Sequence, residues 1–193
     1  MKCAHCGQKP AHRCYSEGFD CTGGLARTEE YTKDEIRSML VTSSEVEAGY
    51  YMQLTRLEEI IEFARQMGYK CLGLAFCVGL AREAEAVSGI LERHFKVYSA
   101  CCKAGGINKD DLGVSHVISG RFEAICNPAG QAAVLAKKGT DLNIVLGLCV
   151  GHDTLFNRFS AAPVTTLAVK DRVLGHNPLA AIYSGYYMKT RFK

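Results

Sequence analysis

Two kinds of hydrophobic pattern alternate along the chain from residue 70 onward. "KCLGLAF" (70–76) and "LNIVLGL" (142–148) are continuous apolar runs, as strands buried on both faces of a parallel sheet read. "FKVYSA" (95–100) and "PVTTLAV" (163–169) read as two further strands. Between them lie helical patterns: "VGLAREAEAVSGILERHF" (78–95), "NPAGQAAVLAKKGT" (127–140) and "GHDTLFNRFS" (151–160). Asn127 and Pro128 have the residue types of a helix cap and first helical position. "RFEAI" (121–125) reads as a short fifth strand, and the tail "GHNPLAAIYSGYYMKTRFK" (175–193) as a closing helix.

The first third is patterned differently. Thr32 with Glu35, Ser44 with Glu47 and Thr55 with Glu58 each match a capping box. They predict a short helix over "KDEIRSML" (33–40), then a longer one over "EVEAGYYMQLTRLEEIIEFARQMG" (45–68). Val46, Tyr50, Leu54, Leu57, Ile61 and Ala64 give the longer helix one buried face, Thr55 offers a restart, and Gly68 ends it. Residues 1–30 carry cysteine, glycine, histidine and charge with little periodicity.

Strands alternating with helices predict an α/β fold. The expected architecture is a doubly wound, mainly parallel, Rossmann-like sheet of four to five strands. The expected organisation is one compact unit. It comprises a cysteine-rich segment (1–30), a helical segment (31–68) and the α/β core (69–193). At 193 residues, 48% hydrophobic and 22% charged, the chain supports one such core. A formal charge of +3 argues against a dedicated nucleic-acid binder. No run reaches the ~18 apolar residues of a membrane span. "MKCAHCGQKP" lacks the apolar stretch of a signal peptide, so a cytoplasmic location is expected.

Ten cysteines change this picture. Cytosolic thiols stay reduced, so metal binding or thiol chemistry is expected rather than disulfides. Cys3, Cys6, Cys14 and Cys21 are spaced C-x2-C-x7-C-x6-C. Four soft thiolates so close suit zinc or an iron–sulfur cluster, which spacing does not separate. His5 and His12 are alternative ligands with a simpler reading as surface histidines.

A second constellation sits at strand exits. Cys77 follows "LGLAF", Cys101 follows "KVYSA", Cys149 follows "IVLGL", and Cys126 precedes the cap "NP". All these points fall at the carboxyl edge of an open α/β sheet, where ligands bind. Gly79 and Gly151 leave backbone room there. Cys102, Lys103, His152 and Lys170 add to the same edge; for Lys170 through Arg172 a solvated loop is the simpler reading. Two chemistries stay open for the crevice. One is a second metal or cluster. The other is thiol catalysis with Cys149 or Cys77 as nucleophile and His152 as base, with Cys149 expected to matter most. Each cysteine alone also reads as a small residue filling a tight turn. The partners expected are a small molecule or redox partner, with a homo-oligomer also open. A zinc-stabilised binding module is the remaining class.

The motifs "CVGL" (77–80), "YSACCKAG" (98–105), "CNPAGQA" (126–132) and the long stretch 141–183, together with 45–68, resemble an uncharacterised, cysteine-rich family of bacteria and archaea. The resemblance covers nearly the whole chain and implies metal binding without implying a reaction. Cys3, Cys6, Cys14 and Cys21 match the cysteine-rich start of that family. Met52 departs from the polar or cysteine residue expected there, so position 52 is not expected to be an essential ligand.

Overall fold

The computed structural model describes residues 2–192. The chain divides into two compact units, Met1–Gly49 and Tyr50–Lys193. The first holds a 3-10 turn at Cys3–His5, α1 (Arg13–Ser16), a second 3-10 turn at Glu29–Thr32, and α2 (Asp34–Gly49). Among the described residues up to 30, none is buried.

One helix, α2, replaces the two expected from capping boxes at Thr32 and Ser44. The Thr32 hydroxyl donates to the Glu29 carbonyl inside the 3-10 turn. Ser43 and Ser44 hydroxyls donate back to the Met39 and Leu40 carbonyls, one turn earlier. A serine satisfied in this way rides within a helix instead of starting one.

The second unit begins with α3 (Arg56–Gln66), set apart from α2 by residues 50–55. Here the Thr55–Glu58 capping box forms, with both reciprocal hydrogen bonds present. Then follow β1 (Cys71–Phe76), a 3-10 turn at Val78–Leu80, α4 (Ala81–Leu91) and β2 (Lys96–Cys101). A loop with a 3-10 turn at Asp110–Leu112 leads to α5 (Pro128–Lys137). β3 (Leu142–Leu146), α6 (His152–Phe159), β4 (Val164–Ala168), α7 (Ala180–Tyr183) and α8 (Gly185–Thr190) complete it. The tail therefore forms two short helices, not one. "RFEAI" contributes no strand: its Ala124 makes one isolated antiparallel bridge to Asn108.

The sheet is all parallel, in the order β2-β1-β3-β4. Period-two alternation splits the strands between two cores. Leu72, Leu74, Leu142, Ile144 and Leu146 pack with Ile60 and Ala64 of α3 and with Ala84, Val87 and Leu91 of α4. On the opposite face Ala75, Ala100 and Val145 pack with Ala132 and Leu135 of α5 and Phe156 of α6. Each fully buried leucine or isoleucine contributes on the order of 1.5–3 kcal/mol. Helices on both faces make the sheet doubly wound. The strand order reverses between β1 and β3, from which the chain departs to opposite faces.

A polar contact is built into this core. Asn143, fully buried in β3, accepts from the Thr140 hydroxyl at 2.8 Å and donates to Ser160 at 2.8 Å. Its register partner is Gly73, where a Cβ would collide with the Asn143 amide oxygen. Gly73→Ala is expected to destabilise the protein by about 1–3 kcal/mol, the usual cost of overpacking. Gly89→Ala, on an exposed turn of α4 with open space at the Cβ, is expected to stabilise by about 0.5–1 kcal/mol. Denaturant unfolding of both variants checks the opposite signs.

Candidate functional site

Each strand of the sheet extends its ladder by a residue or two at the carboxyl edge, and the cysteines sit on those last rungs. Cys77 N–H donates to the Leu146 carbonyl at 3.2 Å, and Cys102 N–H to the Phe76 carbonyl at 2.8 Å. The β1–β2 register pairs Phe76 with Cys101, so Cys77 and Cys102 stand side by side one step later. Asn127 N–H returns to the Cys102 carbonyl at 2.8 Å and brings Cys126 alongside. The Asn127 side chain caps α5 through Gly130 N–H at 2.8 Å.

A cavity of about 470 Å³ opens at this edge, lined by Cys77, Cys102, Cys126 and Cys149 together with Lys103, His152 and Arg172. Cys101 does not line it. Its sulfur accepts the Lys103 N–H at 3.5 Å, while Cys102 is buried in the same layer as Cys77. Gly79 and Lys170 stand directly behind Cys77: a Cβ on Gly79 would lie 3.7 Å from the Lys170 amine and 3.9 Å from the Cys77 sulfur. Gly151, at φ +85°, precedes α6 in a conformation that favours glycine.

The thiols are electrostatically unequal. Burial pushes the Cys77 thiol up. The Gly79 N–H, the charge and hydrogen bond of Lys170, and a hydrogen bond with Cys102 outweigh it, and the net shift is downward. Burial pushes Cys102 up to about 12, against the Val78 N–H that reaches its sulfur at 3.3 Å; like charge from Cys126, Cys77 and Cys101 adds to the rise. Arg172 donates to the Cys149 sulfur at 3.1 Å. That bond and the Cys149 charge raise the guanidinium's affinity for its proton, with smaller contributions from Cys77 and Cys126. The His152 N–H donates to the Cys149 carbonyl at 2.9 Å, while among the described residues no hydrogen bond joins the two side chains.

Two features had no counterpart in the sequence reading. Gln131, fully buried on α5, donates from its amide to the Ala100 carbonyl at 2.7 Å and the Phe76 carbonyl at 3.2 Å. It ties the ends of β1 and β2 together immediately before their cysteines. Its one signal was a lone glutamine four residues before Leu135 on an otherwise apolar helix face. The other feature is the loop between β2 and α5, which walls the cavity through Leu112, Val114 and Val117. Lys109 and Glu123 close its base with an ion pair at 2.6 Å, beside the Asn108–Ala124 bridge. The Lys103 amine donates to the Ala124 carbonyl at 2.6 Å.

The N-terminal cysteines share an electrostatic environment. The Cys6 sulfur accepts the His12 N–H at 3.3 Å, which with Gln8 N–H lowers that thiol. Cys21, though exposed, is raised by partial desolvation and then by the charges of Cys14 and Cys3. Among the described residues, no three His, Cys, Asp or Glu side chains are grouped closely enough to hold a metal ion. All ten cysteines are free.

The fold and this edge define a doubly wound α/β protein with a thiol-lined crevice at its topological switch point. A family model described as "Protein of unknown function (DUF1847)" matches residues 24–167, and the chain belongs to that family. It is similar to an uncharacterized protein of Methanocaldococcus jannaschii, MJ0455, at 51% identity over 191 residues, which covers 98% of this chain and 97% of the relative. No solved structure matches. Among the described residues, no helix is long and apolar enough to cross a membrane.

The loop pair yields a pH dependence. Lys109's hydrogen bond, then the Val117 N–H, hold the Glu123 carboxyl at about 2; His116 faces the same carboxylate at 4.0 Å. A lowered carboxylate stabilises fully above its unfolded value of about 4.3. The loop should therefore keep this support at neutral pH and lose it as pH falls from there through about 2. NMR carboxyl titration should place Glu123 near that value. In Lys109→Met the titration should move up toward the ordinary range, and loop amides should lose exchange protection at neutral pH.

Proposed function

We propose that this chain is a thiol-dependent protein of a reducing compartment, the cytoplasm. Its crevice receives a small molecule, and Cys77 is the reactive thiolate. The observation that carries the reading is the surroundings of Cys77: a buried sulfur facing a cavity, with the Lys170 amine and Gly79 N–H behind it and Cys102 beside it. Reactive cysteines occupy electropositive sites of this kind, whereas apolar burial alone makes a thiol inert. The cavity volume falls in the small-molecule range. Cys149, held by Arg172, stands as a second sulfur across the crevice, and His152 is placed to exchange a proton with a bound molecule.

Iodoacetamide alkylation, followed residue by residue with mass spectrometry, tests this. Cys77 should reach half-maximal rate at a pH below that of an ordinary thiol, and Lys170→Met should move that midpoint up. A Cys77 that reacts last among the ten cysteines, with an unshifted profile in both proteins, would overturn the assignment.

We further assign one zinc ion or iron–sulfur cluster to Cys3, Cys6, Cys14 and Cys21. Residue type and sequence spacing support this: four thiols at metal-ligand spacing, with backbone N–H groups on Cys6 and mutual charge between Cys21, Cys14 and Cys3, which draw together on binding. A segment without one buried residue up to position 30 has no core to order it. A bound metal supplies that order as a cross-link. Elemental analysis should find metal in the wild type and lose it in a Cys3→Ser, Cys6→Ser variant, with the α/β unit still folded. Visible absorbance separates iron–sulfur from zinc. Metal retained in that variant but lost on Cys149→Ser would transfer the site to the crevice.

A further inference from the structure

We propose that Cys77 and Cys102 form a redox couple: Cys77 attacks a small disulfide in the crevice, and Cys102 resolves the mixed disulfide by closing a Cys77–Cys102 bridge. The inference rests on Cys77 being the reactive thiolate, and adds its partner, its substrate class and the electron balance.

Geometry selects Cys102. The two cysteines occupy neighbouring positions just past paired parallel strands, in the register set by Phe76 and Cys101. Both side chains lie in the same core layer with Ala75 and Ala100. Adjacent strands stand about 4.8 Å apart, within the roughly 4.4–6.8 Å between Cα atoms that a disulfide spans. Both side chains are nearly fully buried, at 6% and 2% exposure, and the N–H of Val78, the residue after Cys77, donates to the Cys102 sulfur at 3.3 Å. Gln131 bridges the carbonyls immediately before each strand exit, which keeps the strand ends at bonding distance.

The steps balance. The Cys77 thiolate attacks one sulfur of the substrate disulfide, forming a Cys77 mixed disulfide and expelling a small thiolate. That thiolate takes the Cys102 proton. Cys102, now a thiolate, attacks the Cys77 sulfur and expels the second small thiolate. The substrate gains two electrons, and the protein dithiol is oxidised to the bridge. A reducing dithiol regenerates the couple by the reverse exchange. Before the first step Cys102 holds its proton firmly, in part because of the charge on Cys77; that charge disappears in the mixed disulfide, so resolution follows attack. Lys170 beside Cys77 and Arg172 on Cys149 bring positive charge to the crevice, which favours a disulfide carrying carboxylates.

The test uses the full-length, fully reduced protein and two probes, the anionic dithiodiglycolate and the neutral hydroxyethyl disulfide, with peptide mass spectrometry. The wild type should lose two hydrogens and yield a cross-linked Cys77–Cys102 peptide that carries no small thiol. Dithiodiglycolate should react at least about tenfold faster than the neutral probe. Cys102→Ser should stop at the mixed disulfide on Cys77. A wild type that keeps a small thiol on Cys77, or bridges Cys77 to Cys126 or Cys149, would overturn the couple while leaving the reactive thiolate standing. A Cys77 untouched in both proteins would overturn both. Equal rates with the two probes would overturn the anionic substrate class. The wild-type result decides the couple even if a variant fails to fold.

Discussion

The carbonyl groups at the ends of parallel strands must find donors after the ladder stops, and here the donors belong to the residues that build the crevice. Phe76 accepts from Cys102 N–H and Gln131, Leu146 from Cys77 N–H, and Ala168 from Gly147 N–H. Leu148, two residues beyond β3, accepts from Lys170 N–H. An orphaned carbonyl in this layer costs about 1–3 kcal/mol. Satisfying those of Phe76, Leu146 and Leu148 fixes the backbone of Cys102, Cys77 and Lys170 at this edge. Gly147 belongs to the same constraint: at φ +64° it turns the chain out of β3, and a Cβ there would strike Leu80.

Within that frame the chemistry follows from a conflict between burial and charge. Two neighbouring sulfurs in a low-dielectric layer cannot both ionise. The arrangement resolves the conflict asymmetrically. Cys77 has the Gly79 N–H and Lys170, and Cys102 has burial and three like-charged neighbours with one opposing N–H. Electrostatics therefore favour ionisation at Cys77 and hold the proton on Cys102. Removing the Lys170 amine would take away the main cation favouring Cys77, which makes that lysine, just past β4 and distant in sequence, part of the sulfur's reactivity.

The sheet, its parallel sense and most helices were legible because long apolar runs and a good Asn-Pro cap leave few alternatives. So was the gathering of cysteines at one edge, since strand exits in this fold share an edge. Phase was harder. Cys101 and Cys102 are consecutive at a strand exit, and a single-residue step decides which faces the crevice. Only the pairing of Phe76 with Cys101 fixes that step, and it is a long-range fact. Gln131 and the Lys109–Glu123 pair were hidden for the same reason. Their partners are backbone carbonyls or side chains of other segments, which no local pattern announces. Ser44 misled in the opposite way, because the same hydroxyl that caps a helix can also bond backward within one.

The repeated Cys-Val-Gly exits of β1 and β3 now have separate physical explanations. After Cys77 the chain enters a 3-10 turn toward α4 on one face; after Cys149 it turns toward α6 on the other. A Cβ on Gly79 would make only ordinary contacts with the Lys170 amine and the Cys77 sulfur, so space does not require glycine there. Gly151 is required by backbone conformation, with open space around it. The echo therefore reflects a shared position, two strands flanking the switch point, with backbone conformation requiring the glycine at the second exit only. What unites the two cysteines is the cation each exit meets from the β4 loop: Lys170 beside Cys77 and Arg172 on Cys149. A single loop after β4 thereby supplies positive charge to both sulfurs.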